Sequence, residues 1–146
     1  MKIYEIQTRY VAKGVMESVP TFTHPTAVVR YRESAFNQYH DQEQFWVVML
    51  NGANRPIARV MCTLGLANQT QIHPREAFKH AVREGAISVI FLHNHPSGNL
   101  KASIDDIATT TRLVEAGKVL DIPVLDHVIV ADGWTSIRAT NPECFR

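Results

Sequence analysis

Residues 93–106 read His93-Asn94-His95-Pro96-Ser97-Gly98-Asn99-Leu100-Lys101-Ala102-Ser103-Ile104-Asp105-Asp106, which is H-x-H, seven residues, then S-x-x-D. The seven residues before them, 86–92 (AISVIFL), are apolar and rich in β-branched side chains, as a central strand covered on both faces should be. That strand runs straight into His93. In extended backbone, residues i and i+2 project to the same side, so the two imidazoles at a strand end converge on one point. Asp106 then closes the set from the next helix. Two imidazoles and a carboxylate suit Zn²⁺, and three protein ligands leave a fourth position for water, the arrangement of catalytic zinc. Metal coordination lowers the pKa of that water enough to make it a nucleophile near neutral pH.

Working outward, residues 104–120 carry Ile104, Ile107, Ala108, Thr111 and Val114 along one stripe, which predicts a helix just beyond the histidine-rich turn. Residues 122–130 and 134–137 read as strands around Asp132-Gly133. Upstream, His73-Pro74 opens a helix with Ala77, Phe78, Ala81 and Val82 on one face and Gly85 as its C′ residue. Residues 45–50 (FWVVML), the turn-like Asn51-Gly52-Ala53-Asn54 and residues 57–64 predict a hairpin buried on both faces. Residues 24–40 predict a first helix, and residues 2–12 an exposed or edge strand. The order is helix, hairpin, helix, strand, helix, hairpin, without repeats or an evident linker. A chain of 146 residues with 45% hydrophobic side chains is expected to form one domain over residues 1–146.

Composition narrows the function classes. Lys plus Arg number 15 and Asp plus Glu 14, a formal charge of +1, so net charge supplies no pull toward nucleic acid. Cys62 and Cys144 are too few for a disulfide framework and too far apart for a zinc knuckle, and are expected to be reduced thiols. No apolar run is long enough for a bilayer and the N-terminus lacks a signal-like h-region. A cytoplasmic protein without a membrane partner is expected.

The spacing of residues 93–106 matches the JAMM motif of JAB/MPN metalloproteases. With HPREAF at 73–78, HNHPSG at 93–98, SIDD at 103–106 and LDHVIV at 125–130, the chain resembles the RadC-like branch of that family from about Phe45 onward. Several linked motifs in order are far more specific than H-x-H alone. The resemblance implies an α/β fold of JAB/MPN type, a cytidine-deaminase-like mixed sheet flanked by helices. It implies a zinc metallopeptidase or isopeptidase acting on a protein or peptide substrate. It also implies His93, His95 and Asp106 as metal ligands, Ser103 as an oxyanion-stabilising hydroxyl and an upstream glutamate as general base. In chain order Glu43, just before the apolar strand, takes the place of that glutamate. Its competitor Glu76 sits in a helical first turn, where the dipole lowers its pKa and makes it a poorer proton acceptor. The N-terminal helix-hairpin-helix region of longer RadC-like proteins is expected to be absent, which weakens any borrowed association with DNA.

The same residues admit other readings. Ser103 and Asp106 also suit a helix N-cap, a role that can coexist with catalysis. Ser97 reads as a turn residue. His127, inside an apolar strand, reads first as a hydrogen-bonded core histidine and second as a group orienting a ligand. His24, His40, His73 and His80 have no partner at ligand spacing. Two rival functions are a DNA-repair-associated metal-dependent nuclease and a non-catalytic MPN-type binding module. Against the first, the letters of an HNH nuclease are dispersed along a ββα unit, whereas here they are consecutive. Against the second, scaffolds of this fold usually lose ligands, and this chain keeps the set. A nucleoside deaminase is excluded because H-x-E and P-C-x-x-C are absent.

Overall fold

Asn51 turns the first two strands back on each other. In the computed structural model, which describes residues 21, 22, 24, 26–28, 41–65 and 72–146, its side-chain oxygen accepts from the backbone N–H groups of Ala53 and Arg55 at 2.9 and 3.1 Å. Asn54 completes the turn in the left-handed region, at φ 55°, which asparagine tolerates better than most residues. The turn joins β1 (Glu43–Leu50) to β2 (Pro56–Gly65) as an antiparallel pair. Helix α1 (Pro74–Arg83) follows, with Gly85 in its left-handed C′ place at φ 63°.

β3 (Ser88–Asn94) lies at the centre of a five-stranded sheet of order β2-β1-β3-β4-β5. It runs antiparallel to β1 and parallel to β4 (Val124–Val130), and β4 pairs antiparallel with β5 (Trp134–Ser136). Because β3 and β4 are parallel, the chain must cross the sheet between them, and α2 (Ile104–Val119) is that crossover. Helix α3 (Ile137–Thr140) and a 3₁₀ turn (Pro142–Phe145) end the chain. The result is the expected α/β class, a mixed sheet with flanking helices. Among the described residues no helix is long and apolar enough to cross a membrane.

Side-chain alternation divides the sheet cleanly. Phe45, Val47 and Met49 of β1 share a core with Val89 and Phe91 of β3, Ala77, Phe78 and Ala81 of α1, and Leu113 and Val114 of α2. Val48, Leu50, Ile90, Leu92, Val128 and Val130 point the other way and pack with Phe22 and Val28. The same parity puts Glu43 and His93 on the helix-bearing face.

Several sequence expectations change. The hairpin is not buried on both faces: among the described residues β2 is an edge strand, and Ile57 is 46% exposed. Val82 leaves the apolar face of α1, exposed at 57%, because that face is satisfied by Ala77, Phe78 and Ala81. In α2 the buried stripe is Thr110, Leu113, Val114 and Gly117, while Ile104 is 86% exposed and Ala108 is exposed. The sheet meets α2 one residue off the expected stripe, and Ile104 at the helix start overhangs open space. β3 extends through His93 and Asn94 because Ile129 and Val130 of β4 pair with them. Ile122 stays outside β4, its N–H bonded to Gly117 O at 2.9 Å. Ile137 opens α3 instead of ending β5. The expected strand over 2–12 lies outside the described residues, as does the expected first helix apart from 24 and 26–28, of which 26–28 are helical.

Beyond the last β1–β3 pair, Phe45 with His93, the ladder continues through a side chain. Asn94 Oδ1 accepts the Gln44 N–H at 2.6 Å and Asn94 Nδ2 donates to Gln42 O at 2.9 Å. One amide thus clamps the backbone on both sides of Glu43.

Two stability predictions follow from this packing. Asn94→Ala removes the acceptor of the buried Gln44 N–H and the donor to Gln42, so unfolding free energy should fall by about 1–3 kcal/mol, read from urea denaturation. Gly117→Ala should also destabilise, since a Cβ there would stand 2.6 Å from the Ile122 carbonyl oxygen and 3.2 Å from Phe78 Cζ. Alanine's better helix propensity, about 1 kcal/mol, is outweighed because a backbone carbonyl cannot step aside, and a net loss of about 1–3 kcal/mol is expected. An unchanged urea midpoint in either variant would contradict the corresponding contact.

Candidate metal centre

Four acidic and histidine side chains meet at the carboxyl end of β3. Glu43 comes from the first residue of β1, His93 from β3, His95 from the turn after it and Asp106 from the first turn of α2. One nitrogen or oxygen from each lies within 4.8 Å of the others. The arrangement follows from strand parity. His93 pairs with Phe45, so Glu43, two residues earlier in the antiparallel neighbour, stands beside the position that His95 reaches two residues later.

The loop between β3 and α2 aims His95. Pro96 follows it with φ preset for a turn, the Gly98 N–H closes back on His95 O at 3.0 Å, and Gly98 takes φ 81°. The chain then returns so that the Asn99 carbonyl accepts from His95 Nδ1 at 2.7 Å. A carbonyl can only accept, so the Nδ1 of His95 carries hydrogen and a neutral His95 offers its Nε2 lone pair to the cluster. Ser97 is a turn residue, its hydroxyl accepting from the Asn99 N–H at 3.4 Å.

Asp106 is fixed by the start of its own helix. The Ser103 hydroxyl accepts the Asp106 N–H at 3.0 Å, and the Asp106 carboxylate accepts the Ser103 N–H at 2.7 Å, a reciprocal capping box. Its two oxygens face the imidazoles, Oδ1 at 3.2 Å from His93 Nε2 and Oδ2 at 3.4 Å from His95 Nε2. The two Nε2 atoms are 2.8 Å apart. Ligands bonded at 2.0–2.2 Å to one tetrahedral ion stand about 3.3–3.5 Å from each other. The two contacts of Asp106 match those separations, the two Nε2 atoms stand closer than an ion would hold them, and a donor set of two imidazoles and a carboxylate is one that suits zinc.

Electrostatics agree with the geometry. Burial alone would push the Asp106 carboxyl up, but the adjacent His93 and His95 rings, with the bond to Ser103, hold it well below the usual carboxylate range. His95 is raised, first by its bond to Asp106 and further by the Asn99 carbonyl. Protons and a metal ion compete for such a site, and the ion enters by displacing them. Burial raises the Glu43 carboxyl against the lowering effect of the two histidines. Glu76 is elsewhere: it pairs with Lys79 at 2.6 Å on the exposed side of α1, and that bond, rather than the helix dipole alone, lowers its pKa.

Ser103 lies on the rim of the cleft that holds the four side chains, with Ile104 and Arg112 beside it. His127 is fully buried and reaches the far nitrogen of His93, Nδ1 to Nε2, at 2.7 Å. Two contributors were not legible in the sequence. Asn99 acts through a main-chain carbonyl, which any residue type would carry, and Asn94 acts on backbone brought near only by the β1–β3 register. His24 and His73 lie outside the cluster, His24 bonding Thr26 and His73 standing at the start of α1. His80 belongs to the last turn of that helix, and His40 lies outside the described residues. Cys62 and Cys144 are free thiols, and burial pushes Cys62 up to about 11, away from reactivity.

Comparison with known proteins gives the same picture. A RadC-like JAB domain family matches residues 22–142. A UPF0758 protein of Geotalea uraniireducens is 44% identical over 129 residues, 88% of this chain and 56% of the relative. One from Methanospirillum hungatei is 39% identical over 140 residues, 95% of this chain and 62% of the relative. One from Caldanaerobacter subterraneus is 50% identical over 96 residues, 66% of this chain and 41% of the relative. The chain thus spans about half the length of these curated relatives. With the motif, the mixed sheet and the matched span in agreement, the chain belongs to the RadC-like JAB domain family.

Proposed function

We propose that the protein is a zinc-dependent hydrolase of JAMM type that cleaves a peptide or isopeptide bond. The observation that carries this reading is the convergence of Glu43, His93, His95 and Asp106, whose ligand atoms lie within 4.8 Å of one another. Zinc held by His93, His95 and Asp106 would polarise a carbonyl and lower the pKa of a water.

The remaining chemistry belongs to the chain. Glu43 takes a proton from the attacking water as its oxygen bonds to the carbonyl carbon, and returns that proton to the departing amine as the C–N bond breaks. Burial favours this role, because a carboxylate pushed up in pKa is a better proton acceptor than an ordinary one. Asn94 limits how far the Glu43 backbone can wander from the cluster. The Ser103 oxygen already accepts the Asp106 N–H, which leaves its own O–H to donate to the oxygen that gains charge on the carbonyl. Retention of the whole set supports an enzyme over a binding module, and the +1 net charge gives no support to a nuclease. Nucleic acid is therefore not the proposed partner.

Elemental analysis of the purified protein should find about one zinc per chain, and His95→Ala should lose it. Failure of the wild type to load near-stoichiometric zinc would overturn the reading. On a library of peptide- and isopeptide-linked substrates, Glu43→Gln should keep zinc and abolish turnover. Ser103→Ala should keep zinc and slow turnover by roughly 10²-fold. Loss of metal in Ser103→Ala, or unchanged turnover in either variant, would remove that residue from its role.

A further inference from the structure

We propose that His127 and Thr110 are positioning residues that fix a hydrogen of His93 on Nδ1, so that Nε2 is the atom His93 can offer beside His95 and Asp106. The inference rests on the metal-site reading above but is decided by proton positions that exist without any ion.

One buried chain of contacts fixes where each hydrogen sits. Thr110 Oγ1 is 2.6 Å from the backbone oxygen of Asp106, which can only accept, so the threonine hydrogen is committed there. The same Oγ1 is 2.6 Å from His127 Nδ1. With its hydrogen spent, the hydroxyl meets His127 as an acceptor, and Nδ1 must carry the proton. Neutral His127 then has a bare Nε2, which lies 2.7 Å from His93 Nδ1. His93 must in turn donate from Nδ1, which leaves Nε2, the atom aimed at Asp106 and His95, as the one His93 can offer to an ion. Polarity thus runs one way, from His93 through His127 and Thr110 to the Asp106 carbonyl.

The premise that His127 is neutral follows from its surroundings. The ring is 1% exposed and meets the rings of Phe45 and Phe91 edge-on at 5.4 and 6.0 Å. Thr110 is fully buried, so water does not compete for either of its bonds. The relay also ends on the residue that supplies the third ligand, so one set of bonds orients a ligand from β3 against the helix that carries another. The Nδ1 hydrogen of His95 is committed by a separate route, its bond to the Asn99 carbonyl.

The test reads tautomers and affinity separately. Long-range ¹H–¹⁵N correlation spectra of the metal-free wild type near pH 8 should show hydrogen on Nδ1 of both His93 and His127 and none on Nε2 of His127. A bare Nδ1 on either ring, or a proton on Nε2 of His127, would overturn the relay. Thr110→Val keeps the side-chain shape but deletes the hydroxyl. It should move the His127 proton off Nδ1 and weaken zinc binding, by competition with a chromophoric chelator, roughly 10- to 100-fold. Thr110→Ser, which restores the hydroxyl, should return both the spectrum and the affinity toward wild type. Valine leaving the tautomers and the affinity unchanged would overturn the proposal, as would serine failing to rescue either. If the wild type bound no zinc, the hydrolase reading would fall while the metal-free spectra still decided the relay.

Discussion

The pairing of Phe45 with His93 fixes where everything else in the site can stand. It places Glu43 two residues before one end of the pair and His95 two residues after the other, on the same face of the sheet. A slip of β1 by one residue in this ladder would turn Glu43 to the opposite face and send Phe45, Val47 and Met49 away from the helices. The apolar core therefore enforces the register that the polar site needs. Phe45, Val47 and Met49 must face α1 and α2, and Glu43 follows their parity.

A second constraint comes from the parallel neighbour. Because β4 lies beside β3 in the same direction, α2 has to begin at the carboxyl end of β3, where the two histidines emerge. Ligands in open α/β sheets collect at that edge for the same topological reason. Asp106 is thus delivered to the histidines by the crossover itself. His127, opposite Phe91 in β4, is delivered beneath them by the register of that parallel pair.

How much of this was legible beforehand depends on the distance over which each signal acts. His93, His95 and Asp106 lie within 14 residues of one another, and local rules for strands and helix starts suffice to aim them. Glu43 lies 50 residues before His93, and chain order together with family resemblance was needed to choose it over Glu76. The roles of Asn94 and Thr110 depend on which backbone atoms fold against them, and their side chains carry no chemical signature of that. The stripe on α2 was misread by one position because Ile104 is apolar yet sits at the helix start, past the sheet. Val82 was misread because a helix face satisfied by three side chains leaves the fourth to solvent.

The capping box has a further meaning for the speed with which an ion could come and go. The Asp106 carboxylate is held by the Ser103 N–H through a bond that belongs to the helix, not to the metal. His95 is likewise held by the loop carbonyl of Asn99. Side chains pinned by the scaffold in this way would need little rearrangement to receive an ion, so little chain entropy would be lost on capture. Stripping water from an incoming ion, rather than refolding of the protein around it, would then set the pace of exchange.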